Sequence, residues 1–216
     1  MSGREPSVER ILRDVAPVAA DADRRLHLLL VRERPVADVE PVLGGAPLQQ
    51  ERRSDLAVHL LGRGALAQDL DQIVAADPDF DPADFLNGAK SAYEMIVIAF
   101  AQGDRPRLKD LLSPLVFDGF NAAITEREKR HEVMNTTFVA IDSAVLVDAH
   151  LKEQMIQVTV KFSSKLITVT KDADGKVIEG AADKIVDVTD IWTFERKARS
   201  SSPAWHLVAT ESAYAA

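Results

Sequence analysis

In VTDIWTFER (Val188–Arg196), Asp190 stands two residues before Trp192 in a run that alternates apolar and polar residues. If the run is a strand, both side chains leave it on the same face. An acid turned toward an apolar interior ordinarily pairs with a cation, here Arg196, or accepts backbone N–H groups. The sharper alternative is a carboxyl whose pKa burial has raised, which can hold and release a proton near neutrality. Phenols that could assist are scarce, since Tyr93 and Tyr214 are the chain's two tyrosines. His150 and His206 fall on strand-like segments and read as surface residues. The five histidines, His27, His59, His131, His150 and His206, show neither HxH nor HExxH spacing, so no metal site is expected. There is no Cys to act as a thiol nucleophile, zinc ligand or disulfide. GGAP (Gly44–Pro47) and GRG (Gly62–Gly64) lack the lysine and the spacing of a phosphate loop. No cofactor is implied.

Two further groups of residues could bind rather than react. Met95, Phe100, Phe117, Phe120, Phe138, Phe162 and Trp192 concentrate aromatic and sulfur-bearing surface in a chain that is 6% aromatic. They are the expected walls of an apolar pocket between helices and sheet, with Asp190 and Thr137 as its polar groups, and its expected occupant is a polypeptide or a lipid tail. Arg105, Arg107 and Lys109, with Arg127, Lys129 and Arg130, gather positive charge near helix ends, where anionic headgroups could be met. The balance of the chain opposes nucleic acid: its formal net charge is −8, and phosphate binding needs clustered cations. No apolar run approaches the roughly 20 residues that span a bilayer, and the opening MSGREPSVER has no apolar segment of a leader after it.

The elements that must position these residues follow from periodicity. Through residue 80 every basic residue is Arg, with Pro and Gly interrupting PVADVEPVLGGAP (Pro35–Pro47), whereas Lys appears from Lys90 onward. Residues 1–69 are therefore expected to be a partly disordered linker with short helical pieces, including Ser7–Val15 and a stretch from Ser54 to Val74. Residues 70–216 are expected to form the domain. Asp81 as N-cap, Pro82 in the first turn and Gly103 as terminator frame a long helix whose apolar face includes Phe85, Ala89, Tyr93, Ile96, Val97 and Phe100. Asp104 and Ser113-Pro114 open two more helices. From His131 the period becomes twofold. His131–Leu151 reads as a long or bent strand. In Met155–Lys171 the apolar parity switches after Phe162, which predicts a bulge at Ser163-Ser164. The turn DADGK and two last strands complete an α+β fold, three helices on a strongly curved four-stranded antiparallel sheet.

In this order, ADPDFDPADFLNGAKSAYEMIVIAFAQGD, LKDLLSPLVFDGFNAAITERE, VTVKFSS, DADGK and VTDIWTFERKARSSSPAWHLVATES are similar to blocks of the Tim44-like family, over about Leu70 to Ser212. The resemblance implies a cone-shaped, nuclear-transport-factor-two-like fold, an apolar pocket between helices and sheet, and no catalysis. It also implies partners at an inner membrane: anionic lipid, membrane proteins and unfolded polypeptide. The expected location is peripheral to a bacterial inner membrane, or soluble. Bacterial relatives commonly begin with a spanning helix and polar linker, and neither is evident in Met1–Phe80. The competing reading is a small-ligand carrier or an isomerase- or dehydratase-like acid–base enzyme on the same cone, with Asp190 as base.

Overall fold

The computed structural model describes residues 64–212. The readings made for residues 1–63, and Tyr214, lie outside the described residues. Four helices and five strands follow one another: α1 (64–76), α2 (Pro82–Gln102), α3 (Arg105–Leu111), α4 (Pro114–Lys129), β1 (Val133–Lys152), β2 (Met155–Lys171), β3 (Val177–Gly180), β4 (Val186–Lys197) and β5 (His206–Ser212).

Capping sets the helix boundaries. The Asp81 carboxylate accepts from the backbone N–H groups of Ala83 (2.7 Å) and Asp84 (2.8 Å), which would otherwise be orphaned at the start of α2. Gly103 ends α2 at φ 70°, in the left-handed region that costs glycine least. Asp104 and Ser113 cap α3 and α4 in the same way. Helix α1 contributes the fully buried Ile73 to the core.

The sheet runs β1-β2-β4-β5, all antiparallel, and β3 adds to the end of β2. The sequence reading missed this fifth, four-residue strand. Its last residue, Gly180, takes φ 71°, and a Cβ there would lie 2.0 Å from the Thr168 carbonyl oxygen. The expected bulge in β2 is absent. Its inward positions run without a break through Ile156, Val158, Val160, Phe162, Ser164, Leu166, Thr168 and Thr170, and its register with β4 is continuous from Met155 to Leu166. The parity switch arises because polar Ser164, Thr168 and Thr170 occupy inward positions, leaving Ile167 and Val169 on the other face. The bulges lie on β1 instead, where Val139, Asp142 and Val147 have no partner on β2. Extra residues on an outer strand bend it and increase the local twist.

Helix α2 lies on the inner face, and its buried Phe85, Ala89, Tyr93, Ile96, Val97 and Phe100 form the core with inward residues of β2 and β4. The outer face carries polar cross-strand pairs: Thr159 with Thr193 (2.9 Å), Gln157 with Glu195 (2.7 Å), and Lys165 between Asp142 and Asp187. No described helix is long and apolar enough to cross a membrane.

Candidate functional site

Inside the curl, Tyr93 of α2 is fully buried, and its ring stacks on Phe162 of β2 at 4.4 Å between centroids and 13° between planes. Trp192 (4.6 Å) and Phe138 (5.9 Å) close the ring's other sides. The phenol donates to Oδ2 of Asp190 at 2.6 Å. With that proton committed, the Ser164 hydroxyl, 3.0 Å away, donates to the phenol oxygen. One helix is thus fastened to two adjacent strands through a single side chain.

Asp190 is 1% exposed. Burial pushes its carboxyl up to about 7, with the Tyr93 hydrogen bond acting in the opposite direction. Burial, and then the neighbouring Asp190, hold the Tyr93 phenol well above its ordinary range. Among the described residues neither expected fate of Asp190 occurs, because Arg196 is engaged elsewhere and no backbone donor reaches the carboxyl. Asp190 Oδ1 and Trp192 Nε1 are both buried without a hydrogen-bond partner among the described residues, an uncommon state for polar atoms in a protein core. The arrangement can hold a proton. Both Tyr93 and Asp190 are closed to solvent, so neither touches a surface where a substrate could lie.

A groove of about 420 Å³ opens elsewhere, between the first half of α2, the end of α3, the last inward residues of β4 and the segment entering β5. Phe80, Phe85, Phe194 and Trp205 form its floor. Phe85 meets the Trp205 ring at 4.6 Å, and Phe80 lies 5.9 Å from both. Arg196 lies over the Trp205 ring at 4.9 Å and donates through Nη2 to buried Asp77 at 2.7 Å. Asp77 also accepts from the Arg199 backbone N–H, which ties the end of α1 to the β4–β5 connection. On the rim stand Asp79, Asp81, Asp84 and Asp110, all exposed and none paired with a cation among the described residues. An aromatic floor inside a ring of acids suits an apolar group that carries positive charge.

The residues expected to line a pocket take several places. Phe138, Phe162, Trp192 and Asp190 meet around Tyr93, whose hydroxyl sequence reasoning left without a partner. Phe100 and Phe120 pack edge to face at 5.3 Å, toward the other end of α2. Phe117 is half-buried, Met95 is 39% exposed on the outer side of α2, and Thr137 is exposed on the outer face of β1. None of these residues lines the groove. Phe85 was legible as a core aromatic from its place on the apolar face of α2. Its meeting with Trp205 and Asp110 was not, since the three belong to α2, the segment entering β5 and α3.

The six basic residues also separate. Arg127 is 7% exposed, and its Nη2 donates to the carbonyls of Phe100 (2.9 Å) and Ala101 (3.0 Å) while its guanidinium lies 5.2 Å from the Phe100 ring centroid. It is a buried cation satisfying the C-terminal carbonyls of α2. Arg105 pairs with Glu128, Lys129 with Glu126, Arg130 with Glu132, and Arg107 with Asp104 at 3.8 Å. Lys109 is exposed. Among the histidines, His150 contacts Asp148 on the surface, His131 and His206 are exposed, and no three potential metal ligands cluster among the described residues.

These features define an α+β domain whose interior is filled by its own rings and which offers an acidic aromatic groove outside. The chain belongs to the Tim44-like domain family, whose model matches residues 66–212. It is similar to the probable mitochondrial import inner membrane translocase subunit tin-44 of Caenorhabditis elegans, 25% identical over 151 residues, 68% of this chain and 36% of that one. The human mitochondrial import inner membrane translocase subunit TIM44 is 23% identical over 161 residues, covering 73% of this chain and 36% of the relative. The chain thus spans little more than a third of the length of these relatives. Among solved structures, the intermembrane space region of chloroplast protein ARC6 aligns with a TM-score of 0.42 at 12% identity, over 62% of this chain and 98% of that one.

Proposed function

We infer that this domain is a non-catalytic docking module of a protein-translocation apparatus, peripheral to an inner membrane, and that its groove receives an apolar polypeptide segment bearing Arg or Lys. The groove carries the reading. Its floor offers aromatic surface for anchoring side chains, and its unpaired carboxylates attract cationic groups and repel anionic ones. Family membership and the relatives' description as import translocase subunits supply the setting. Catalysis draws no support from the interior, where the one described acid with a displaced pKa is enclosed with Tyr93, Ser164 and apolar side chains, away from solvent. Anionic lipid, the other partner expected, would have to be met mainly by Lys109 and by Arg107, whose contact with Asp104 is long at 3.8 Å, because acids hold the other exposed cations of that region at 2.6–2.9 Å.

The test is fluorescence anisotropy of a labelled 15-residue peptide of Leu, Ala and Arg against the full-length chain. Asp84→Lys with Asp110→Lys should weaken binding about tenfold or more, and Trp205→Ala by a similar factor, the two Asp substitutions costing about 1 kcal/mol of stability because Asp84 lies in the first turn of α2. Equal affinity for all three proteins, or stronger binding of a Glu-for-Arg peptide, would overturn the reading.

A further inference from the structure

The interior acid and the groove share one helix. Asp84, Phe85, Gly88, Ala89 and Ala92 of α2 line the groove, and Tyr93, the next residue, fastens the same helix to Asp190. Ala89 and Tyr93 lie one turn apart on the buried face. The Tyr93–Asp190 contact therefore fixes the helix that forms one wall of the groove, while on the opposite wall Arg196, lying over Trp205, is tied independently to Asp77.

Among the described residues, nothing charged faces Asp190. From α2 it meets Tyr93 amid Ala89, Ile96 and Val97; β2 presents Val160, Phe162 and Ser164; β4 presents Val188 and Trp192; its pairing partner on β5 is Ser212. The next charged residue along the inward side of β4 is Arg196, already held by Asp77. In its neutral form the carboxyl carries its proton on Oδ1, since Oδ2 accepts from Tyr93. Once ionised it has one donor and a second oxygen with none, in an apolar enclosure. The enclosure can relieve this by letting α2 shift from the sheet, or by turning the unpartnered Trp192 N–H toward Oδ1.

We propose that protonation of Asp190 sets the grip of the groove on its cationic partner, the neutral acid holding α2 closed on the sheet and the ionised acid releasing it. This rests on the reading of the groove given above. A segment entering between α2 and Trp205 levers α2 in the direction that ionisation favours, and its positive charge stabilises the buried carboxylate. Both effects make binding tighter when Asp190 is ionised. By reciprocity the bound partner lowers the pH at which Asp190 ionises.

Two measurements on the full-length chain test this. In a Trp205→Phe background Trp192 is the sole tryptophan; its emission should follow a single proton with a midpoint near 7, and Asp190→Asn should make it flat. In the otherwise native chain the Leu/Ala/Arg peptide should bind at least about threefold more tightly at pH 8 than at pH 6, and equally at both in Asp190→Asn. Arginine keeps its charge across this range, and the exposed histidines remain in Asp190→Asn as an internal control. Binding that ignores pH in the native chain overturns the proposal and leaves the groove reading standing, as does a pH dependence that survives in Asp190→Asn. Absence of binding at either pH overturns both. Should Asp190→Asn not fold, Tyr93→Phe serves: losing the donor that favours the ionised acid must move the Trp192 midpoint upward, and an unmoved midpoint overturns the proposal.

Discussion

The two tryptophans of this chain sit on neighbouring segments of one hairpin and do opposite work. Trp192 is 4% exposed and enclosed by Tyr93, Phe162 and Phe194, whereas Trp205 is half-buried, roofed by Arg196 and open to the groove. The interior site is filled by mutual packing of rings and has one strongly displaced acid. The groove has four rim acids in water and an open floor. Aromatic concentration therefore does not by itself mark a cavity. A ring that finds other rings on every side is core, and a binding surface arises where one side of the stack is left uncovered and the rim charge is left unpaired.

Replacing each tryptophan should break this comparison if it is wrong. Trp192→Ala should cost roughly 3–5 kcal/mol in urea unfolding, because its neighbours cannot collapse into so large a volume. Trp205→Ala should cost only about 1–2 kcal/mol and should show its main effect in peptide binding. Equal losses of stability would mean that the groove floor is simply more core.

The acids provide a second contrast, smaller in energy. Folding raises the pKa of Asp190 from 3.8 to about 7, so the folded state holds a proton that the unfolded state releases. Its contribution is complete below about pH 4, declines as pH rises through 7, and is constant above that. Relative to Asp190→Asn, the native chain should lose roughly 2–4 kcal/mol between pH 4 and pH 8 in urea titrations at fixed pH. Referencing to Asp190→Asn removes the opposite trend from Glu126 and Glu128, whose hydrogen bonds to Lys129 and Arg105 hold their pKa values down. A difference that does not vary with pH would show that Asp190 is ionised in the folded protein.

Much of this was legible because it is local. Asp81, Pro82 and Gly103 framed α2 from chemistry within four residues of each end, and parity alone placed Asp190 and Trp192 inward. What escaped depends on distant pairings. The Tyr93 hydroxyl meets a carboxyl 97 residues away, and Ser164 is turned inward to serve that same hydroxyl, which made β2 look bulged. Arg127 resembled any cation at a polar helix end; only the approach of α2 shows that the Phe100 and Ala101 carbonyls need it. The groove has no contiguous signature, since its walls come from α2, α3, β4 and the approach to β5.

Replacing the basic residues sharpens the comparison by separating buried from exposed charge, and the exposed pair should give the smallest effect of all. Arg127→Gln leaves two carbonyls with one donor fewer and removes a guanidinium from the Phe100 ring, so it should lower stability by about 2 kcal/mol. Arg107 and Lys109 hold nothing of that kind. Among the described residues the Arg107 side chain pairs with Asp104 alone, at 3.8 Å and in water, where an ion pair contributes little. Arg107→Gln with Lys109→Gln should therefore leave unfolding unchanged within error. It should also leave flotation of the full-length chain with cardiolipin-rich vesicles within about twofold of its native value, because two exposed cations beside Asp104 and Asp110 make a weak headgroup site. A larger drop in flotation, absent with neutral vesicles, would show that the ends of α2 and α3 meet lipid after all. The acidic groove would then be one of two binding faces, with anionic membrane on the other.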